Sequence, residues 1–547
     1  MNGRRSKKML GVILALSLIL TILAGTPAVS AETPVKNVII MVPDGTGVTH
    51  TTLARWYQNG VPLALDEMAA GLVRCYSAES AITDSAPAAT AMATGYKSNS
   101  KYIGVLPSKV TMPGVPPLAE GDQYRPVATV LEGAKLMGKA TGLVATSNIQ
   151  HATPAAFSAH TPNRNDYETI GEQQVYQGID VVLSAGSKYL LPPSMGGTRK
   201  DSENLLAVLQ NMGYQIVKTR NEMINSTADK LWGMFASDAM AYDFDRDPAK
   251  EPSLAEMTQK AIEILSRNPN GFFLHVEGSK IDWASHDNDP VGVISDTLAF
   301  DQAVRVALDF ARKDGRTLIL VASDHGNGGM SIGDRSTDNI YDKTDISAYL
   351  EPLKKARLTG AGIEAKLNKE RSNVVEIMAQ YYGITDLTQE EIAAIKGARP
   401  GRVQSVVGPI ISKRAHIGWT TGGHTGEDMV LYSYGPNRPV GVIENTEFAK
   451  ITARSFGFDL KELSSRLFVP ARPAFQSLGA EVKYNDADPL NPVIEVTKGN
   501  VKMELPIDTS IARINGQSRY LKGLVVKPAN VTYVPQEAID LFKEGAR

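Results

Sequence analysis

The 547-residue chain is poor in cysteine, in long apolar stretches and in net charge, and each shortage narrows what it can be. Cys75 is the single cysteine, so no intramolecular disulfide forms. It sits in the apolar segment Gly71–Tyr76 and reads as a packed thiol rather than a nucleophile. The formal charge of −2 gives no general attraction to nucleic acid or to anionic membrane, so no nucleic-acid partner is expected. An anionic substrate would need a local source of positive charge, and bound metal ions are one. No tract is of low complexity. With 43% hydrophobic and 21% charged residues, the chain has an ordinary globular balance and room for more than one domain.

Residues 1–31 read as a secretory signal. Arg4, Arg5, Lys7 and Lys8 open it, Leu10 to Leu23 is apolar, and Val29, Ser30 and Ala31 offer small residues for cleavage. The apolar core is short against the roughly 20 residues that span a bilayer. No comparable run follows, so the expectation is a secreted, cell-surface or periplasmic protein without a membrane span after signal removal.

From Val35 onward, short apolar runs alternate with helical segments. Val38–Val42, Thr141–Thr146, Val181–Leu183, Phe272–Val276 and Leu318–Ala322 are buried-strand candidates. Ser253 with Glu256, and Thr388 with Glu391, have the spacing of capping boxes. The pattern predicts an α/β fold with a mainly parallel sheet covered on both faces. Residues 330–410 read as a helix-rich insertion, a lid or crown. Beyond Leu467 the texture changes to short alternating strands with a hairpin-type Asn515-Gly516, which predicts a small α+β domain.

In such sheets chemistry gathers where strands end. Asp44 and Glu277 follow or close apolar strands, and Asp324 and His325 do the same after Ala322. Asp282 and His286 stand four apart, on one face of a helix, with the spacing to hold one metal. His424 is flanked by glycines that let backbone approach an ion. Each motif alone also fits a solvated or structural pair. Together, mixed histidine and carboxylate donors without thiolate suit zinc at a catalytic site, with magnesium favouring an oxygen-rich position. Ser85, in Thr83–Thr90 before Pro87 and an alanine-rich run, sits at a predicted helix start where phosphate binds well. A plain N-cap is the alternative. No Gly-x-Ser-x-Gly elbow surrounds it, so a metal ion rather than a histidine base is the expected activator. Asp238, Asp243, Asp245 and Asp247 form an acidic run that reads as a solvated loop before it reads as a calcium site.

Asp44, Asp84–Thr90, His151–Thr153, Arg164, Glu277–His286, Asp324-His325 and His424–Gly426 occur in an order that resembles bacterial alkaline phosphatases over about residues 35–450. The resemblance implies a catalytic domain over residues 32–455. It implies hydrolysis of phosphate monoesters through a phosphoserine at Ser85, assisted by two zinc ions and a third metal. Asp282, His286 and His424 match its first zinc site, and Asp44, Asp324 and His325 the second. Glu277 and Thr153, with Asp44 bridging, match the third, usually magnesium. Arg164 matches the arginine that clamps two phosphate oxygens. His151 and Trp283 stand where other members carry a carboxylate and a lysine. The histidine opens the third site to zinc, and the missing lysine implies weaker phosphate binding and faster product release.

A phosphodiesterase or a sulfatase of the same superfamily is the alternative. Sulfatases resemble Cys/Ser-x-Pro-x-Arg at the nucleophile, and here Ala89 stands in the arginine position. Residues 464–547 resemble the small domain named after the copper amine oxidase N-terminus. No histidine lies beyond His424, which argues against copper there. The tail is expected either to meet a cell-wall or surface partner or to pack on the core. Oligomeric state is open, a homodimer included.

Overall fold

The computed structural model describes residues 34–545; the leader expected at 1–31 lies outside the described residues. Ten strands form one sheet: β1 (Asn37–Pro43), β2 (Ala69–Arg74), β3 (Ala140–Asn148), β4 (Val181–Ala185), β5 (Gln215–Val217), β6 (Leu231–Met234), β7 (Phe272–Gly278), β8 (Thr317–Val321), β9 (Met429–Tyr434) and β10 (Gly441–Glu444). Their spatial order is β10-β2-β9-β8-β1-β7-β3-β4-β6-β5. Only β9 runs antiparallel to its neighbours. The central strands β1, β3, β7 and β8 are buried along their whole length. Continuous apolar runs such as Val38–Val42 have this cause: both faces of the sheet are covered, so no face is left for polar alternation. Every strand candidate of the sequence lies in this sheet, and the doubly covered α/β architecture is as expected.

The helices that matter for the site are α1 (Val48–Tyr57), α2 (Ser85–Thr94), α3 (Val130–Leu136), α4 (Ala152–Ala156), α5 (Tyr167–Gln177), α6 (Leu254–Leu265), α7 (Lys280–His286) and α8 (Pro290–Asp314). Ser253 and Glu256 form the capping box of α6, and Thr388 and Glu391 cap the helix Gln389–Gly397. Each box satisfies backbone N–H groups that a helix start leaves open. Between residues 346 and 414 lie five helices whose apolar residues, among them Leu353, Met378 and Ile411, form one core with Ala284 of α7 and Ile294 of α8. The buried carboxylate of Asp289 ties this layer to α8, accepting from the backbone of Val291, Gly292 and Gly360 and from Gln404 Nε2.

The acidic run is structural rather than simply solvated. Asp245 accepts from the Thr359 N–H and hydroxyl, Asp243 pairs with Arg246, and Asp238 pairs with Lys188. These partners leave no converging set of free carboxylates, and the described residues place no calcium-type cluster there.

The strand-rich tail is a five-stranded antiparallel sheet, β11 (Glu481–Asn485), β12 (Val493–Lys498), β13 (Val501–Pro506), β14 (Ile511–Ile514) and β15 (Gln517–Tyr520), with the helix Gln536–Gly545 against it. Asn515 and Gly516 make the β14–β15 turn, both at positive φ (49° and 84°), the pairing a two-residue hairpin demands. The tail's apolar junction continues the core of the large sheet. Leu467, Phe468, Leu524, Val526 and Tyr533 share a cluster with Ile103, Leu131 and Ile170. Asp508 Oδ1 accepts from Gln173 Nε2 of α5 at 2.7 Å, and Ser510 Oγ donates to the Tyr176 carbonyl at 2.9 Å. Phe468 stands edge-on to His160, ring centres 4.6 Å apart. Phe468→Ala is therefore expected to cost about 3–5 kcal/mol of unfolding free energy, read from denaturant melts. An unchanged midpoint would mean that tail and sheet are energetically independent.

Candidate metal centre and nucleophile

Strands β8, β1, β7 and β3 are consecutive neighbours, and they deliver their C-terminal residues side by side. Asp44 follows β1, Glu277 lies in the last turn of β7, Asp324 and His325 follow β8, and His151 and Thr153 follow β3 at the start of α4. Helix α7 begins directly after β7 and carries Asp282 and His286 on successive turns. His424 arrives from another direction, in a two-residue strand His424–Thr425 paired with Gly326–Asn327. Among the described residues three donor groups converge here: Asp282, His286 and His424; Asp44, Asp324 and His325; and Asp44, His151 and Glu277. All eleven site residues expected from the sequence lie in this region.

The histidines are oriented for a ligand that carries positive charge. Nδ1 of His286 faces the Gly422 carbonyl at 2.8 Å, Nδ1 of His424 the Thr83 carbonyl at 2.9 Å, and Nδ1 of His325 the Gly326 carbonyl at 3.2 Å. A carbonyl only accepts, so each Nδ1 carries the proton and each Nε2 presents a lone pair. Those Nε2 atoms converge. His424 Nε2 lies 3.2 Å from His286 Nε2 and 3.8 Å from Asp282 Oδ1, and His286 Nε2 lies 3.4 Å from Asp282 Oδ2. Two lone pairs at that separation repel unless a proton or a cation lies between them. His325 Nε2 lies 3.5 Å from Asp44 Oδ1 and 3.3 Å from Asp324 Oδ2. Its ring stacks on His424, centres 3.7 Å apart, joining the two groups.

The carboxylates carry the same message. Asp44 is fully buried and neither of its oxygens has a hydrogen-bond partner. Glu277 Oε1, Asp324 Oδ2 and Thr153 Oγ1 are likewise buried and unpartnered. A buried carboxylate without a partner carries a large desolvation cost, which a bound cation would offset. With protein atoms alone, burial and then the neighbouring carboxylates Asp324, Asp282 and Glu277 push Asp44 well above the ordinary carboxylate range. Burial raises Glu277 to about 7, and burial followed by the adjacent His424 lowers His325 to about 3. The donors fit two nitrogen-containing sites and one oxygen-rich site.

His151 departs from the pattern. Arg164 Nη2 donates to its Nε2 at 3.2 Å, which leaves the ring proton on a buried Nδ1 with no partner. Trp283 meets His151 edge-on at 5.7 Å and takes the Lys280 ammonium, from one turn earlier in the chain, over its ring at 4.0 Å.

Ser85 is the first residue of α2, and its Oγ lies 3.2 Å from His325 Nε2. The N-cap is Asp84, not the serine: Asp84 Oδ1 accepts from the Ala86 N–H at 2.7 Å. This frees the Ser85 hydroxyl from capping. Asp84 also accepts from Arg164 Nη1 at 3.0 Å, from the Ser100 hydroxyl and from the Lys101 N–H. Burial opposes its ionisation, but Arg164 and these donors outweigh it and hold the carboxyl below its usual range. Gly45 could be no other residue. Its φ is +67°, and a Cβ there would stand 2.6 Å from Asp282 Oδ1.

Sequence reasoning missed the supports. Asn327 Nδ2 donates to the Asp282 carbonyl and to its Oδ1, at 3.1 and 2.6 Å. His50 and Ser285 hold α7 from behind. Asn327 lies inside the Asp324-His325 motif, where proximity was a usable signal; His50 offered none beyond being a histidine.

The alkaline phosphatase family model matches residues 35–457, and the model of the copper amine oxidase N-terminal domain matches residues 456–542. The chain therefore belongs to the alkaline phosphatase family and is an enzyme of that class, a phosphoric monoester hydrolase. Alkaline phosphatase 3 of Bacillus subtilis is 37% identical over 450 residues, 78% of this chain and 90% of that protein. The alkaline phosphatase of Thermus thermophilus superposes with a TM-score of 0.69 at 28% identity, covering 79% of this chain and 96% of that one. A TAB5 alkaline phosphatase, from an Antarctic bacterium, superposes at 0.55 with 26% identity over 78% of this chain and 99% of that one; this variant, in which a histidine is replaced by aspartate, has magnesium bound in its M3 site. Among the described residues no helix is long and apolar enough to cross a membrane.

Stripping divalent ions with a chelator is expected to lower the unfolding free energy by at least about 3 kcal/mol, the linkage of a ligand held well below its working concentration. Denaturant melts with and without added zinc read this. A chelator-insensitive melt would mean that the carboxylates share protons instead.

Proposed function

We propose that this chain is an exported alkaline phosphatase that hydrolyses phosphate monoesters through a phosphoserine at Ser85. In this reading Asp282, His286 and His424 hold one zinc ion, and Asp44, Asp324 and His325 a second. Asp44, Glu277 and Thr153 hold a third ion beside His151. The observation that carries it is the convergence of Nε2 atoms and unpartnered carboxylate oxygens into one cluster, with Ser85 Oγ 3.2 Å from its His325 Nε2. The oxygen donors of the third group favour magnesium, because His151 is engaged by Arg164. The export reading rests on the basic, apolar and small-residue leader, and the division into residues 32–455 and 464–547 rests on the change of texture near Leu467.

When bound, the ions supply Lewis acidity toward the serine, phosphoryl and leaving oxygens. The chain's own residues do the positioning. Ser85 Oγ, at the N-terminus of a ten-residue helix, attacks phosphorus in line; the P–O bond to the alcohol breaks and the phosphoryl group stays on the serine. Water then attacks the phosphoserine, releasing phosphate and restoring the hydroxyl. Arg164, held in plane by Asp84 and His151, keeps its remaining N–H groups for phosphate oxygens. Ala89 is fully buried within α2, which speaks against the sulfatase alternative and its arginine at that position. The tail's continuous core with the sheet favours packing as its first role, with a wall or surface partner a further one.

Ser85→Ala is expected to lower turnover of an aryl phosphate by roughly 10³-fold or more while zinc content stays unchanged. Acid-quenched wild type incubated with phosphate should carry one phosphoryl group on the peptide containing Ser85. Undiminished turnover in the variant would overturn the mechanism.

A further inference from the structure

His50 lies outside the donor groups, in the first turn of α1, where its side chain is buried against α7. Its Nδ1 is 3.1 Å from the Gly47 N–H, and its Nε2 is 2.9 Å from Ser285 Oγ. The backbone N–H can only donate, so Nδ1 accepts and the ring proton sits on Nε2. Nε2–H therefore donates to Ser285 Oγ, whose own hydroxyl donates onward to the Ile281 carbonyl at 2.8 Å. Every polar atom of the relay has one role. Burial keeps the ring neutral, lowering it to about 4, so the relay holds across the working pH range.

The two ends of this relay are the two halves of the metal centre. Gly47 closes the Asp44-Gly45-Thr46-Gly47 loop, which is also tied to the β8 end by Gly45 N–H to Asp324 Oδ1 (3.3 Å) and Thr46 N–H to Ser323 Oγ (2.8 Å). Ser285 sits in α7 one residue before His286 and three after Asp282. That helix has seven residues and no side-chain N-cap, too little to fix its own rotation. A small rotation would swing Asp282 and His286 away from His424 while leaving Asp44 in place.

We propose that His50 is a positioning residue that locks the rotation of α7 against the Asp44 loop and so sets the donor pair Asp282 and His286 relative to the rest of the metal centre. The inference rests on the zinc assignment proposed above. Neutral histidine is suited to the task because its two nitrogens reach in opposite directions with opposite hydrogen-bond roles.

Two amides separate the arms of the relay. His50→Asn keeps an acceptor for the Gly47 N–H and loses the reach to Ser285; His50→Gln keeps a donor toward Ser285. Zinc-loaded wild type, both variants and Ser285→Ala are transferred to a chromophoric chelator, and zinc release is followed alongside the melting temperature of the metal-stripped proteins. His50→Asn and Ser285→Ala are expected to release the more labile zinc about 10–100-fold faster, the usual cost of removing a partner behind a metal ligand. His50→Gln should stay within a few-fold of wild type. The stripped proteins should melt close together. Wild-type release rates in both His50→Asn and Ser285→Ala would overturn the proposal while leaving the zinc assignment intact. Equal loss in His50→Gln and His50→Asn, tracking a drop in melting temperature, would overturn it in favour of a purely structural histidine. A wild type that takes up no zinc would overturn the functional reading on which it stands.

Discussion

The arrangement of this molecule depends on one buried carboxylate. Asp44 emerges from the central strand of the sheet into a fully enclosed position with no hydrogen-bond donor of its own. Asp324, Asp282 and Glu277 surround it. Four acidic groups at such distances cannot all ionise in a low-dielectric site without compensating positive charge. Among the described residues no arginine or lysine pairs with Asp44, whose one basic partner is His325. The fold supplies instead lone pairs, carried by histidines whose protons are tied to backbone carbonyls on the far side. Repulsion within the apo site and attraction for divalent cations are the same fact seen from two sides.

The sheet makes this concentration of charge geometrically possible. Parallel strands bring all their C-terminal ends to one edge, so four successive neighbours can each contribute ligands within a turn of their last residue. Helix dipoles add to the effect at α2, whose N-terminus carries Ser85, the proposed nucleophile. Asp84 takes the capping duty that would otherwise occupy the serine, and through Arg164 it connects that helix start to His151. The short helix α7, by contrast, is held by groups from elsewhere: the side chains of His50 and Asn327 and the backbone carbonyl of Gly422.

Much of this was legible in the sequence because the signals were of kinds that composition preserves. Uninterrupted apolar runs marked doubly covered strands, and capping boxes marked helix starts. Donor residues directly after strands marked the sheet edge where the candidate ligands cluster, and Asp282 with His286 marked a shared helix face. The supports were not legible. His50 is a lone histidine in a helix, and only the fold reveals that Ser285 is its partner. Ser85 could be read as a plain N-cap, and only the fold shows that Asp84 takes that role. Asp245 looked like a surface acid, yet it holds Thr359, the N-cap of a helix in the inserted layer, by accepting from its N–H and hydroxyl. The tail read as a small module that either meets a partner or packs on the core, and only the fold shows which side chains join it to the core beneath α3 and α5: Leu467, Phe468, Leu524, Val526 and Tyr533.

The shared carboxylate is the feature most directly open to measurement. Crystals of the zinc- and magnesium-loaded enzyme, with anomalous diffraction recorded on both sides of the zinc edge, would locate each ion. The arrangement described requires two zinc peaks flanking Ser85 Oγ and a third, non-zinc peak near Glu277 and Thr153. Asp44, which belongs to two of the donor groups, would then lie beside a zinc and a magnesium peak. A map in which Asp44 touches no ion, or in which a single ion occupies the cluster, would contradict it.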